Sequence, residues 1–267
     1  MRSLVPMTLV FLAAAADAAT VTYIANEGVL VTAGETRVLF DPLFEDHYAM
    51  YEAPDAQTRN RIIAGDPPFD DVDAVFVSHH HLDHFSQELM LALLAAQPDL
   101  RLYAPAQAVA AMRKSADDEA LLARATGIAM DSGDAPMAMQ FGALDILVMR
   151  VPHSGWPERH AEVENLVFRV TLDDEATVAH FGDAHTDPAF FKPNRSAWQE
   201  RGTDLAMPPY WFFLSDGGRE ILESIVQPEQ AIGLHVPESI PGDPQARPPE
   251  VRGVDLFTRP GESRTIP

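Results

Sequence analysis

Ala74-Val75-Phe76-Val77-Ser78-His79-His80-His81-Leu82-Asp83-His84 decides how the rest of the chain is read. An apolar run of strand type stops at Ser78, and the next six residues carry four of the ten histidines and one aspartate. Imidazole and carboxylate are the usual protein ligands for zinc-like divalent ions, and no apolar core tolerates so many of them together unpaired. In an extended loop, residues two apart point the same way, so His79 and His81 can grip one ion while His80 points elsewhere. Asp83 and His84 follow after a turn, within reach of a second ion.

Three other strand-like runs also end in a candidate ligand. Ile146–Val151 leads through Pro152 to His153, Ala176–Phe181 through Gly182 to Asp183, and Ala231–Leu234 to His235. Each residue alone reads as an ordinary surface or core side chain. Their shared place at strand ends, where sheet-based folds gather ligands, brings them together. Two hard cations about 3.5–4 Å apart repel unless an anionic ligand lies between them. Asp183, after a glycine that permits close backbone approach, suits that bridging position.

Elsewhere the chain reads as alternating strands and helices. Val21–Ile24, Val29–Val31 and Arg37–Phe40 form a meander, and Asp73–Val77 is the strand before the histidine run. Ser86 caps a helix to Ala96, and a second helix spans Ala106–Lys114. Strands follow at Leu102-Tyr103, Leu144–Val151, Val163–Leu172, Ala176–Phe181, Asp204–Met207 and Ala231–Leu234, with a helix over Gly218–Val226. Residues 44–70 read as a long irregular insertion, and Val236–Glu250, with five prolines, as a loop or arm. The pattern predicts one layered α/β domain over residues 19–267.

The first 18 residues resemble a signal peptide: Arg2, an apolar stretch from Leu4 to Ala16, then small residues at Ala16-Asp17-Ala18. That stretch is too short for a comfortable membrane span, so no stable span is expected. The chain has no cysteine, which permits a periplasmic or secreted location without requiring one. With 19 basic and 40 acidic side chains the net charge is -21, which repels phosphate backbones and argues against a nucleic-acid partner. A small-molecule substrate fits better.

The spacing His79-x-His81-x-Asp83-His84 after a strand, then His153, Gly182-Asp183 and His235, resembles the metallo-β-lactamase superfamily. The likeness is greatest to the branch of metal-dependent hydrolases similar to ascorbate-phosphate lactonases and N-acyl phosphatidylethanolamine phospholipase D. Tyr23–Gly28, Leu39–Pro42 and Glu164-Asn165-Leu166 also fit that branch. The resemblance implies a four-layer αββα sandwich. It also implies His79, His81 and His153 on one metal, Asp83, His84 and His235 on a second, and Asp183 bridging.

No cysteine ligand is available, and histidine at position 81 favours hydrolysis over the di-iron redox chemistry that a glutamate there would suggest. The expected function is therefore exported hydrolysis of an ester, lactone, amide or phosphodiester by a metal-bridging hydroxide. Two divalent ions are expected, Zn2+ first, with Mn2+ or Fe2+ compatible with the same ligands. Asp83 also serves as a candidate for orienting the nucleophile, and His185 or His160 as the leaving-group acid. Asp41 is expected to support a ligand, and His47, His80 and His180 to be structural. Tyr210 and Trp211 line either the pocket or the core. The alternatives are a metal-binding scaffold without turnover, which leaves the open ligand set without a purpose, and a nucleic-acid phosphodiesterase, which the charge opposes.

Overall fold

The computed structural model describes residues 18–45 and 48–267; the leader expected over residues 1–18 and His47 lie essentially outside them. Thirteen strands follow in chain order: β1 Thr20–Ala25, β2 Gly28–Ala33, β3 Thr36–Phe40, β4 Ala74–Phe76, β5 Arg101–Pro105, β6 Ala125–Ile128, β7 Met137–Phe141, β8 Leu144–Arg150, β9 Leu166–Leu172, β10 Ala176–His180, β11 Leu205–Met207, β12 Gln230–Ala231 and β13 Ser263–Thr265. They form a seven-stranded sheet in the order β13-β1-β2-β3-β4-β5-β6 and a six-stranded sheet in the order β12-β11-β10-β9-β8-β7. In the first sheet β13 to β3 pair antiparallel and β3 to β6 parallel. In the second, β7 to β10 pair antiparallel and β10 to β12 parallel.

Strand alternation builds the layers. Val29, Val31, Val38, Phe40, Ala74 and Phe76 of the first sheet meet Leu144, Ile146, Val148, Phe168 and Val170 of the second in one buried core. Phe76 is its centre, with ring centroids 5.1 Å from Phe40 and Phe168. The opposite faces carry the alternate residues. Leu30, Leu39, Val75 and Leu102 pack under helices α1 Ala56–Ala64, α2 Gln87–Ala96 and α3 Ala106–Ser115. A short helix, α4 Glu119–Leu122, adds Leu122 to the same cluster.

On the second sheet Met149, Val167, Ala179 and Phe181 pack against Trp198, Phe212, Ile221 and Ile225. Trp198 comes from α5 Arg195–Glu200, and Ile221 and Ile225 from the π-helical turn that continues α6 Asp216–Glu220. Helix, sheet, sheet, helix is the αββα sandwich that the family resemblance implies.

The departures are local. Residues 44–70 are not irregular throughout: α1 lies inside them, with the Asp55 side chain accepting from Thr58 N–H and Gly65 closing it in the left-handed region. The strand expected from Val163 starts at Leu166, because Val163–Asn165 turn back instead. The strand expected over Ala231–Leu234 shrinks to β12 followed by single bridges from Gly233 to Leu256 and from Leu234 to Pro209.

Candidate metal centre

Every candidate ligand leaves the C-terminal end of a strand at one edge of the sandwich. His79 follows β4, His153 follows β8, Asp183 follows β10 and His235 follows β12. The loops are tied to one another by the main chain. Leu166 N–H donates to Ser78 O, His84 and Phe85 N–H both donate to His81 O, and Ser154 N–H donates to Asp183 O. The turn closed on His81 O is what brings Asp83 and His84 back beside His79. Gly182 sits at φ 50° with Ser78 and Asn165 filling the space a Cβ would take, so the chain reaches Asp183 only through a residue without a side chain.

His79, His81 and His153 offer ring nitrogens that all lie within 4.8 Å of one another, and so do the donor atoms of Asp83, His84 and His235. Asp183 joins the two sets. Its Oδ2 is 3.2 Å from His153 Nε2, while its Oδ1 is 3.4 Å from His84 Nε2 and 3.2 Å from His235 Nε2. His79 Nε2 stands 3.1 Å from His81 Nδ1, and His235 Nε2 3.3 Å from Asp83 Oδ2. A tetrahedral ion with bonds of about 2.0–2.1 Å sets its ligand atoms roughly 3.3 Å apart. The observed spacings are those of ligand shells.

The donor atoms themselves point the same way. His84 Nε2, His153 Nε2, His235 Nε2 and Asp183 Oδ1 are buried and make no hydrogen bond among the described residues. Buried polar atoms left so cost roughly 1–3 kcal/mol each unless something fills the space between them. In two of these rings the opposite nitrogen is occupied: His153 Nδ1 lies 2.7 Å from Ser154 O and His84 Nδ1 2.9 Å from Asp41 Oδ2. Those partners set the tautomer that leaves Nε2 free toward the centre.

Charge follows geometry. Burial first, then the nearby His84 charge, holds the His79 ring well below its usual pKa. Burial, then His153 and His84, brings His81 down to about 4. Burial works against ionisation of Asp183, yet the His235 and His84 charges outweigh it and hold the carboxyl well below its usual range. Asp83 is lowered in the same way, with His84 and His235 overcoming burial. Burial also opposes the charge on His84, but Asp83 and Asp183 raise its pKa well above normal. Neutral imidazoles and ionised carboxylates are the forms that bind metal, and the two carboxylates acting on His84 make a site that favours positive charge.

Asp41 takes the supporting place expected of it. It accepts from Ser78 N–H at 2.7 Å, from Ser78 Oγ at 2.5 Å and pairs with His84 Nδ1, at φ 39° just past β3. Asn165 accepts from Asp183 N–H at 3.0 Å and donates to Phe181 O. Glu164 serves a helix end instead: its carboxylate accepts from Gln107 N–H at the start of α3.

The two candidate acids part company. The His160 ring packs 5.0 Å from His81 and 4.5 Å from His153, whereas His185 accepts from Asp187 N–H and packs edge-on to Phe190. Trp211 lies against the His235 ring at 5.1 Å, Phe212 is in the core and Tyr210 packs with the 236–254 arm. His180 is buried between the sheets on Phe40, and His80 is half-buried.

Sequence reasoning gave Asn26 and Glu27, in the turn between β1 and β2, no role at the centre. Asn26, at φ 47°, donates from Nδ2 to Asp83 O at 3.0 Å, and its own carbonyl accepts from His235 N–H. Glu27 is fully buried beside Asp41 and His84, and burial pushes its carboxyl well above the usual range. Its only signal was a charged residue inside an otherwise apolar hairpin. Tyr51 is the other omission, its ring edge-on to His235 at 4.1 Å. A cavity of about 770 Å³ bounded by Gln140, Asp145, Arg169, Glu200 and Arg201 lies on the outer face of the second sheet and touches none of the clustered histidines.

Comparison with known proteins bears on the fold. The fold is similar to that of Igni18, a metallo hydrolase from the archaeon Ignicoccus hospitalis KIN4/I, at 14% identity over 94% of this chain and 99% of that one, with a TM-score of 0.61. It is similar to a possible metal-dependent hydrolase from Veillonella parvula DSM 2008, at 14% identity, 94% and 100% coverage and a TM-score of 0.64. An isothiocyanate hydrolase from Delia radicum gut bacteria gives 13% identity, 92% and 98% coverage and a TM-score of 0.59. No curated protein sequence matches significantly. The family model described as a beta-lactamase superfamily domain matches residues 36–232, from β3 to three residues short of His235, and on that match the chain belongs to the metallo-β-lactamase superfamily.

Proposed function

We propose that the chain is an exported, dinuclear metal-dependent hydrolase of a small molecule carrying an ester, lactone, amide or phosphodiester bond. The observation that carries this reading is the pair of three-residue ligand sets spanned by the two oxygens of Asp183. His79, His81 and His153 would hold one ion, Asp83, His84 and His235 the other. Zinc suits imidazole with carboxylate, and the di-iron fold relative CmlA from Streptomyces venezuelae makes iron the competitor to be measured. When bound, such ions lower the pKa of a water toward neutrality and stabilise developing negative charge.

The chain's own residues do the rest. Asp183 spaces the two ligand sets, and Asp83 presents a second carboxylate able to orient a nucleophile or receive its proton. Asp41, Ser78 and Asn165 hold those ligands in place. His160, packed over His81 and His153, is better placed than His185 to meet a leaving group. The apolar leader with a small-residue end, together with the lack of cysteine, supports a periplasmic or secreted location. Among the described residues no helix is long and apolar enough to cross a membrane.

The test is a hydrolysis panel of a lactone, an aryl ester, an amide, a phosphodiester and an isothiocyanate. It is run on metal-replete wild type beside His81→Ala and Asp183→Ala. Turnover of at least one bond type, lost in both variants, is expected. A metal-replete wild type inert to the whole panel contradicts the hydrolytic reading.

A further inference from the structure

Tyr51 belongs to the segment that precedes α1, and the main chain anchors that segment beside the metal centre. Glu238 N–H donates to Met50 O at 3.0 Å, three residues after His235. The Tyr51 ring then stands edge-on to the His235 imidazole, with centroids 4.1 Å apart and planes at 85°. Trp211 closes another side of the same imidazole. His235 is thus wedged between two aromatic rings, and Tyr51 is half-buried directly after the exposed residues Tyr48–Met50.

Ring packing does not account for the hydroxyl. No hydrogen bond to another described residue occupies it, and Asp183 and Asp83 are among the charged groups near enough to act on it. A phenol set against the imidazole of a candidate ligand, with no protein acceptor of its own, is free to donate to a guest. Trp211 cannot fill this role, because its Nε1 is enclosed away from solvent. His160 covers the other half of the site, over His81 and His153.

We propose that Tyr51 contacts the substrate, donating a hydrogen bond from its hydroxyl to the oxygen that gains negative charge on the Asp83–His84–His235 side of the centre. No bond is made or broken at Tyr51; the phenol stays protonated throughout and stabilises charge by position. The inference rests on the hydrolase reading above and adds a residue that acts on the reacting group without holding metal. It also gives the segment before α1 a task, since Tyr51 is the side chain by which that segment reaches the centre.

The test uses methylphosphonate, a tetrahedral oxyanion, as the probe, with its binding to metal-loaded wild type and Tyr51→Phe measured by titration calorimetry. Phenylalanine keeps the ring against His235 and removes only the donor. Metal content is expected to be equal in the two proteins, and methylphosphonate to bind about ten-fold more weakly to the variant, the loss of one hydrogen bond to a charged acceptor. Equal affinity overturns the proposal while leaving the metal centre intact. Loss of metal from Tyr51→Phe also overturns it, since the residue would then act by positioning His235. A wild type that binds no metal refutes the hydrolase reading itself, and Tyr51 with it, and the metal assay separates that failure from the others.

Discussion

Gly182→Ala should damage the protein far beyond the size of one methyl group. The residue sits at φ 50°, in the left-handed region, where an L side chain costs about 1–2 kcal/mol. A Cβ there would lie 2.5 Å from Ser78 Cβ, 2.6 Å from Asn165 Oδ1 and 2.8 Å from Ser78 Oγ. None of the three can yield freely. Ser78 Oγ donates to Asp41 at 2.5 Å, and Asn165 Oδ1 accepts from Asp183 N–H at 3.0 Å. Overpacking of that kind adds about 1–3 kcal/mol, for a total of about 2–5 kcal/mol.

For a chain of this size each kcal/mol moves Tm by about 2–4 °C, so a fall of about 4–20 °C is expected by scanning calorimetry. The metal-loaded form should lose more than the metal-free form, because the displaced Ser78 and Asn165 support His84 and Asp183. A variant that melts within about 2 °C of wild type, by that same conversion, and keeps its metal would refute the account of how Asp183 is held.

Two further outcomes are expected. Asp41→Asn removes the charge that pairs with His84 Nδ1 and offers an amide where Ser78 donates twice, so metal affinity should fall about 10–100-fold with little change in the fold. Competition with a chromogenic chelator measures it, and unchanged affinity would dismiss Asp41 as a support. Asp73, half-buried before β4, has its pKa raised by burial despite accepting from Arg37 N–H. A carboxyl raised on folding favours the folded state below its unfolded pKa and loses that advantage as pH rises through the folded value. Asp73→Asn, which keeps an acceptor, should therefore be at least as stable as wild type at pH 7, its relative advantage fading toward pH 3–4, roughly the unperturbed range of the carboxyl. A variant clearly less stable at pH 7 would contradict the sign.

The centre was legible because its chemistry is concentrated. His79 to His84 cannot be mistaken for a core strand, and each remaining ligand closes an apolar run that strand periodicity detects. What escaped has weak or no periodicity. Helix α1 buries only Ile62, so it shows no apolar stripe, although Asp55 and Gly65 marked its ends. Strand β7 is a mostly exposed edge, and β6 buries only its first and last residues, so neither alternates.

Asn26 reaches Asp83 across 57 residues, and the contacts of Glu27 with His180 and of Tyr51 with His235 span far more, and no local pattern encodes such distances. His185 and His160 looked equivalent as letters. The turn after Pro152 settles which one packs over the ligands.

The most direct test of the dinuclear reading is anomalous scattering from crystals of the metal-loaded protein, collected across the zinc and iron edges. Two peaks about 3.5–4 Å apart are predicted. One should lie among His79, His81 and His153, the other among Asp83, His84 and His235, with Asp183 touching both. A single peak, or peaks away from these residues in fully loaded protein, would contradict it.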